Sequence, residues 1–149
     1  MGTDIRTFAE RRIADGTWQE IQGIDFLSNR VYGMFGFLAN VRNYSAVPPI
    51  TQPRGLPEDV SWDIRNEFEN YSSRAYSVSW LSLQELLEFN YDATFEDRRV
   101  TIDHNHGCTC EPGLGKIISY RAFLGDWFQN DLMKVQVAAA ERIVFWFYI

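Results

Sequence analysis

The sequence lacks long hydrophobic runs and has only two cysteines, and each shortage narrows the kind of protein it encodes. No apolar run approaches the roughly 18 residues of a membrane span. The opening stretch Met1–Arg6 has no apolar signal-peptide region. We therefore expect a soluble, cytoplasmic protein with no membrane partner. Cys108 and Cys110 are separated by one residue, so a disulfide between them would be strained.

Basic residues are also fewer than acidic ones, and nearly all of them are arginine. The 149-residue chain has a net charge of −6, which argues against duplex nucleic acid as its main partner. Its cations are twelve Arg and two Lys, and 15% of its residues are aromatic. Guanidinium forks grip phosphate or carboxylate bidentately, and aromatic rings stack on bases. This bias suits a pocket for a small anionic ligand, and solvated surface charge explains it equally well.

Hydrophobic residues make up 46% of the chain, enough for the core of one ordinary domain. Alternation over 3–21 around the Asp15-Gly16 turn predicts a β-hairpin. The apolar run 143–149 predicts a central or paired strand, or an oligomer seam if one face is exposed. We expect a single compact α+β domain over residues 1–149, with a small antiparallel or mixed sheet and about three main helices.

Apolar residues at helical spacing predict helices over 30–41, 59–68, 80–89 and 119–137. Ser28 or Asn29 would cap the first helix, and Ser82 with Glu85 would form a capping box. Gly33 in that first helix, like Gly36 a turn later, indicates a close approach by another part of the chain or by a ligand. Residues 95–102 predict a strand or an extended arm, and 103–116 a glycine-rich loop.

Residues 42–58 form the most informative loop, because four of the five prolines lie there and stiffen it. Arg54 stands beside Gly55, whose small size lets backbone N–H groups approach a phosphate. The alternative is that Arg54 pairs with Glu58 or Asp59 and only pins the loop. Guanidinium, amide, hydroxyl and aromatic groups before and after this segment complete the predicted ligand site: Arg42, Asn43, Tyr44, Arg54, Gly55, Arg74, Ser77, Ser79 and Trp80.

Both histidines and both cysteines fall in one short stretch, which makes it the candidate metal site. The possible zinc ligands are His104, His106, Cys108 and Cys110. The string from Asp103 onward resembles part of an HNH nuclease zinc site, but the chain has no Cys-x-x-Cys knuckle. A polar loop with incidental thiols explains the same residues, so the sequence predicts no cofactor and leaves structural or catalytic zinc as alternatives.

Several segments together resemble a largely uncharacterised family of small phage and bacterial proteins. These segments are NRVYGMF at 29–35, VRN at 41–43, PRGLPEDVS at 53–61, SWLSLQEL at 79–86, YRAFLG at 120–125 and RIVFWF at 142–147. The sequence departs from the family pattern at 74–76, where Asp and His are expected, and at 148–149, where Asp-Asn is expected. Small phage proteins of this kind include sponges, which sequester nucleotide signals of bacterial immunity.

The resulting functional hypothesis is a non-enzymatic, phage-type anti-defence sponge in the host cytoplasm. It would form a homo-oligomer and hold an anionic nucleotide-derived signal, such as a cyclic nucleotide or cyclic ADP-ribose. Arg42 and Arg54 would grip phosphate, while Tyr44 and Trp80 would stack on the base. Two alternatives stay open: a metal-dependent phosphodiester hydrolase built on 103–106, and a protein-binding inhibitor of a host factor.

Overall fold

A computed structural model describes residues 2–101 and 107–149 as two compact units. The first unit comprises residues 2–30, 53–89 and 128–149. The second comprises residues 31–52 and the described residues within 90–127. In chain order the elements are β1 (Asp4–Arg12), β2 (Trp18–Ile21), α1 (Tyr32–Ala39), α2 (Trp62–Tyr71), β3 (Tyr76–Ser82), α3 (Leu83–Glu88), β4 (Thr94–Asp97), β5 (Arg99–Thr101), β6 (Gly107–Thr109), β7 (Lys116–Ser119), α4 (Tyr120–Leu124), α5 (Asp126–Val137) and β8 (Arg142–Tyr148). The predicted α+β class is confirmed.

The first unit is built on an antiparallel four-stranded sheet in the order β2-β1-β8-β3. The predicted hairpin is present as β1 and β2, with Gly16 at φ 85° in the turn. The predicted central strand is β8, which lies between β1 and β3 and is buried on both faces. Phe145 and Phe147 are fully buried, so the core interpretation of this strand is confirmed.

Helix α2 covers one face of this sheet. Ile64 packs with Phe8, Val60, Val144 and Trp146 in a core cluster of the first unit. The ring of Trp146 lies 4.9 Å from that of Phe8, a distance typical of favourable aromatic pairs. The first-unit core therefore fixes β1 and β8 side by side, and this placement determines the site described below.

The second unit contains two small antiparallel sheets, β4–β7 and β5–β6, with helices α1 and α4. The close approach predicted at the α1 glycines is confirmed. A Cβ on Gly33 would lie 2.9 Å from the Phe123 ring, and one on Gly36 would lie 2.6 Å from Asn43 Oδ1. The Asn43 amide is itself held, because it accepts from the Val47 N–H and donates to the Val47 carbonyl.

Several predicted boundaries are wrong, each for a local reason. The helix predicted over 119–137 is two helices, because Gly125 has φ 87° and ψ 165° and breaks it. Helix α1 begins at Tyr32 behind Val31, with no side-chain cap hydrogen bond. Ser28 instead donates to Asp25, so it does not serve as the predicted cap.

The capping box of α3 is confirmed, although the helix begins later than predicted. Ser82 Oγ accepts from the Glu85 N–H, and the Glu85 carboxylate accepts from the Ser82 N–H. Strand β3 extends as far as the cap residue Ser82, so Trp80 is on a strand and not on the predicted helix. None of the helices among the described residues has the length and apolar character that crossing a bilayer requires.

Candidate functional site

A buried ion pair between two neighbouring strands anchors the candidate site. Glu10 on β1 stands opposite Arg142 on β8, and the two side chains are 0% and 6% exposed. Arg142 Nε donates to Glu10 Oε1 at 2.7 Å, and the other carboxylate oxygen accepts from the Ser61 N–H at 2.8 Å. A buried charge is tolerated only when it is paired in this way, so the guanidinium is held in one position.

A second carboxylate and an indole complete the surroundings of this guanidinium. Arg142 Nη1 donates to Asp59 Oδ1 at 2.8 Å, and Trp18 Nε1 donates to Asp59 Oδ2 at 2.9 Å. The hydrogen bond from Arg142, assisted by that from Trp18, lowers the pKa of Asp59 below its ordinary value. The Arg142 Cζ lies 3.9 Å from the Trp18 ring centroid, so the indole stacks on a fixed cation.

These groups line an open groove of about 560 Å³ in the first unit, which we call the tryptophan groove. Its two half-buried indoles are Trp18 from β2 and Trp80 from β3. Pro57 and Ser82 contribute further wall, and the Ser82 hydroxyl is engaged in capping α3. A groove of this size with aromatic walls and a few fixed polar groups has the character of a small-molecule site.

The groove carries both signs of charge. Its lining includes the guanidiniums of Arg12 and Arg142 and the carboxylates of Glu58, Asp59 and Glu141. Arg142 is neutralised by its carboxylate partners. Arg12 is exposed, its guanidinium lies 4.9 Å from the Trp18 ring centroid, and no described carboxylate lies within ion-pair distance of it. The groove therefore offers one unneutralised cation and several acceptors of N–H groups.

Trp80 is positioned by the residue predicted to grip phosphate. Arg54 donates to both Glu85 oxygens, at 2.6 and 2.9 Å, and to the Trp80 carbonyl at 3.2 Å. Its guanidinium lies 4.6 Å from the Trp80 ring centroid. These bonds lower the pKa of Glu85 and raise the pKa of Arg54, in each case mainly through the hydrogen bond between the two side chains. The predicted partners Glu58 and Asp59 are wrong, because the acid that holds Arg54 is Glu85. A phosphate-binding role for Arg54 stays a prediction.

The structure brings several other predicted residues together around the PRGLP loop. The Arg54 N–H donates to Ser79 Oγ at 3.0 Å, and the Gly55 N–H donates to the Val78 carbonyl at 2.9 Å. The loop thus runs along strand β3 and is attached to it next to Trp80. Gly55 has φ 84°, a conformation that favours glycine.

Arg42, Asn43 and Tyr44 lie in the second unit. Arg42 Nη1 donates to Tyr44 Oη at 3.2 Å, and its guanidinium lies 5.7 Å from the Tyr32 ring centroid. Asn43 holds the chain at Val47. A phosphate-binding role for Arg42 and a base-stacking role for Tyr44 stay predictions.

Arg74 and Ser77 belong to the first unit. The Arg74 guanidinium lies 5.1 Å from the Tyr71 ring and 5.7 Å from the Tyr148 ring. Ser77 has φ 50° and lies where the register of β3 against β8 shifts, so it forms part of a β-bulge. Both are absent from the lining of the tryptophan groove, all of whose residues are described.

The predicted metal ligands fall partly outside what the structure shows. His104 and His106, together with Asp103 of the hydrolase hypothesis, lie outside the described residues. Cys108 is exposed and Cys110 half-buried, and both are free thiols. Within residues 2–101 and 107–149, no three metal-binding side chains are grouped.

Sequence reasoning missed Glu10, Arg142, Trp18 and Arg12 as site residues. A usable signal was present, because Arg142 opens an otherwise apolar buried strand. A charge at such a position requires a buried partner. The partner is 132 residues away, and nothing in the local pattern of β1 distinguishes Glu10 from its exposed neighbours.

Comparisons with protein-family models, with curated proteins and with solved structures found no match for this chain.

Proposed function

We propose that this chain is a non-enzymatic binding protein that captures a small nucleotide-derived ligand in the tryptophan groove. The ligand class is the one expected from the sequence, an immune signal such as a cyclic nucleotide or cyclic ADP-ribose held by a sponge. The observation that carries the proposal is the pairing of Trp18 and Trp80 in one groove with the unneutralised guanidinium of Arg12. The roles of stacking group and phosphate partner thus belong to residues of the same unit.

The chemistry of the groove fits a base better than a polyphosphate. Stacking on an aromatic side chain stabilises a bound base by about 1–3 kcal/mol. Glu58, Asp59 and Glu141 accept hydrogen bonds from the amino groups of a base but repel phosphate. A single free cation, Arg12, therefore favours the one-charge phosphodiester of a cyclic nucleotide over the two-charge pyrophosphate of cyclic ADP-ribose.

The side chains of the groove are already held in place, which favours slow dissociation of a bound ligand. Arg142 is fixed by Glu10 and Asp59, and Trp80 is fixed by the bidentate Arg54–Glu85 pair. A site whose side chains are already ordered loses little conformational entropy on binding. Tight retention of an unaltered ligand is the property that a sponge needs.

The test is calorimetric titration of the protein with cyclic mononucleotides, cyclic ADP-ribose and dinucleotides. We expect at least one ligand to bind with a Kd below about 10 µM, which corresponds to more than about 7 kcal/mol. Trp80→Ala should weaken that binding about 5- to 150-fold through loss of stacking. Trp62→Ala is the matched control, because Trp62 is 75% exposed and lies outside the groove.

The bound molecule should also be recovered unaltered by mass spectrometry after the protein is denatured. A panel in which no ligand binds more tightly than about 10 µM would refute the proposal. Equal losses of affinity in Trp80→Ala and Trp62→Ala would refute the assignment of the groove.

A further inference from the structure

A second cavity of about 550 Å³ adjoins the tryptophan groove, and the two share a wall. The shared residues are Arg12, Trp18, Ser82 and Glu141. We call the second cavity the leucine lobe, because Leu83 and Leu87 of α3 line it and do not line the tryptophan groove. All of these residues belong to the first unit. The site is therefore a pair of adjoining compartments with Arg12 and Trp18 at the junction.

The leucine lobe has the composition of a second ring-binding compartment. Leu87 is 40% exposed and presents an apolar surface of the kind on which a base lies flat. The amides of Gln84 and Gln136 stand in the same lining and supply both donors and acceptors for base edges. The Gln84 Nε2 donates to Glu88, which leaves its carbonyl oxygen as an acceptor.

We propose that the natural ligand is a dinucleotide, with one base in the tryptophan groove, the other in the leucine lobe, and the linking phosphodiester at Arg12. The inference rests on the proposed function and names its ligand class. A phosphodiester carries one negative charge, which matches the one unneutralised guanidinium at the junction. A pyrophosphate linker would bring a second charge towards Glu141, which lines both compartments.

A mononucleotide would contact only part of these two compartments. Each compartment alone lies in the range of about 300–1,000 Å³ typical of small-ligand sites. A ligand with one base would occupy the tryptophan groove and leave the leucine lobe to water. Occupation of the second compartment by a linked base adds apolar contact without a second loss of translational freedom.

The experiment compares three probes that carry the same base. They are a cyclic mononucleotide, a linear dinucleoside monophosphate and a cyclic dinucleotide, each titrated into the full chain by calorimetry. We expect the linear dinucleoside monophosphate, whose single phosphodiester matches Arg12, to bind at least 10-fold more tightly than the mononucleotide. The cyclic dinucleotide carries a second phosphodiester, so we expect it to bind more weakly than the linear probe.

Leu87→Glu tests the second compartment directly. It places a negative charge on an exposed helical position in the lobe, so dinucleotide affinity should fall at least 10-fold while mononucleotide affinity stays within 2-fold. Met133→Glu is the matched control, since Met133 is 59% exposed and lines neither compartment. Unfolding curves of both variants check that they fold.

The outcomes separate this inference from the proposed function. Dinucleotides that bind no more tightly than the mononucleotide, or a dinucleotide affinity unchanged by Leu87→Glu, would overturn the two-compartment assignment and leave nucleotide capture standing. A failure of all three probes to bind would overturn both.

Discussion

Substitution of Glu10 by Ala should be among the most damaging single changes in the sheet. Glu10 is fully buried, and its carboxylate accepts from both Arg142 and the Ser61 N–H. The variant would leave a guanidinium that is only 6% exposed with Asp59 as its remaining acid, and Asp59 is 59% exposed. Removal of one partner from a buried ion pair costs about 3–5 kcal/mol.

Urea unfolding followed by circular dichroism measures this loss. With a typical slope of about 2 kcal/mol per M, the midpoint of Glu10→Ala should fall by about 2 M. Asp59→Ala is the control and should lose at most about 1 kcal/mol, because the Asp59 side chain is 59% exposed and Arg142 keeps its buried partner Glu10.

A double variant tests the same reasoning from the other side. Glu10→Leu combined with Arg142→Met removes both charges, so it should be more stable than Glu10→Leu alone. A loss below about 1 kcal/mol in Glu10→Ala, or a double variant less stable than the single one, would refute the claim that burial sets the strength of this pair.

Three further predictions concern the Arg54–Glu85 pair and three glycines. The lowered pKa of Glu85 means that its ion pair with Arg54 stabilises the fold at pH 7 and that this contribution is lost as the pH falls through that pKa. Glu85→Gln keeps an acceptor for the capping box, so it should cost only about 0.5–1 kcal/mol in urea unfolding at pH 7, and less at pH 3. Gly36→Ala should lower the free energy of unfolding by about 1–3 kcal/mol in the same assay, whereas Gly33→Ala, which meets only a movable ring, should be nearly neutral. Gly125→Ala should cost about 1–3 kcal/mol in thermal unfolding, because its backbone conformation is accessible essentially to glycine alone, and an unchanged Tm would contradict this.

Local signals in the sequence predicted the parts of the fold that local physics determines. The hairpin turn at Asp15-Gly16, the capping box of α3 and the apolar strand β8 all depend on neighbouring residues. Strand β3 was not predicted because its serines lower its hydrophobicity. Its strand conformation comes from pairing with β8, which lies far along the chain.

The candidate site was predictable only in part. Trp80 was identified from the sequence, but its neighbours in the groove were not. The PRGLP segment predicted a stiff loop, and the structure attaches that loop to β3 through Arg54 and Gly55. What the sequence could not show is which acid takes the Arg54 guanidinium, because Glu85 is 31 residues away while Glu58 and Asp59 are close in the chain. The fold, and not proximity in the chain, determines which acid pairs with Arg54.

The central position of β8 in the sheet has a consequence for folding during synthesis. Glu10 on β1 precedes its partner Arg142 on β8 by 132 residues, so β1 is synthesised long before β8, the strand that joins it to β3. Contacts of such long range form slowly, and an unpaired apolar strand is prone to aggregate in the meantime. Chaperones that bind the chain during translation should therefore raise the yield of folded protein without changing its free energy of unfolding.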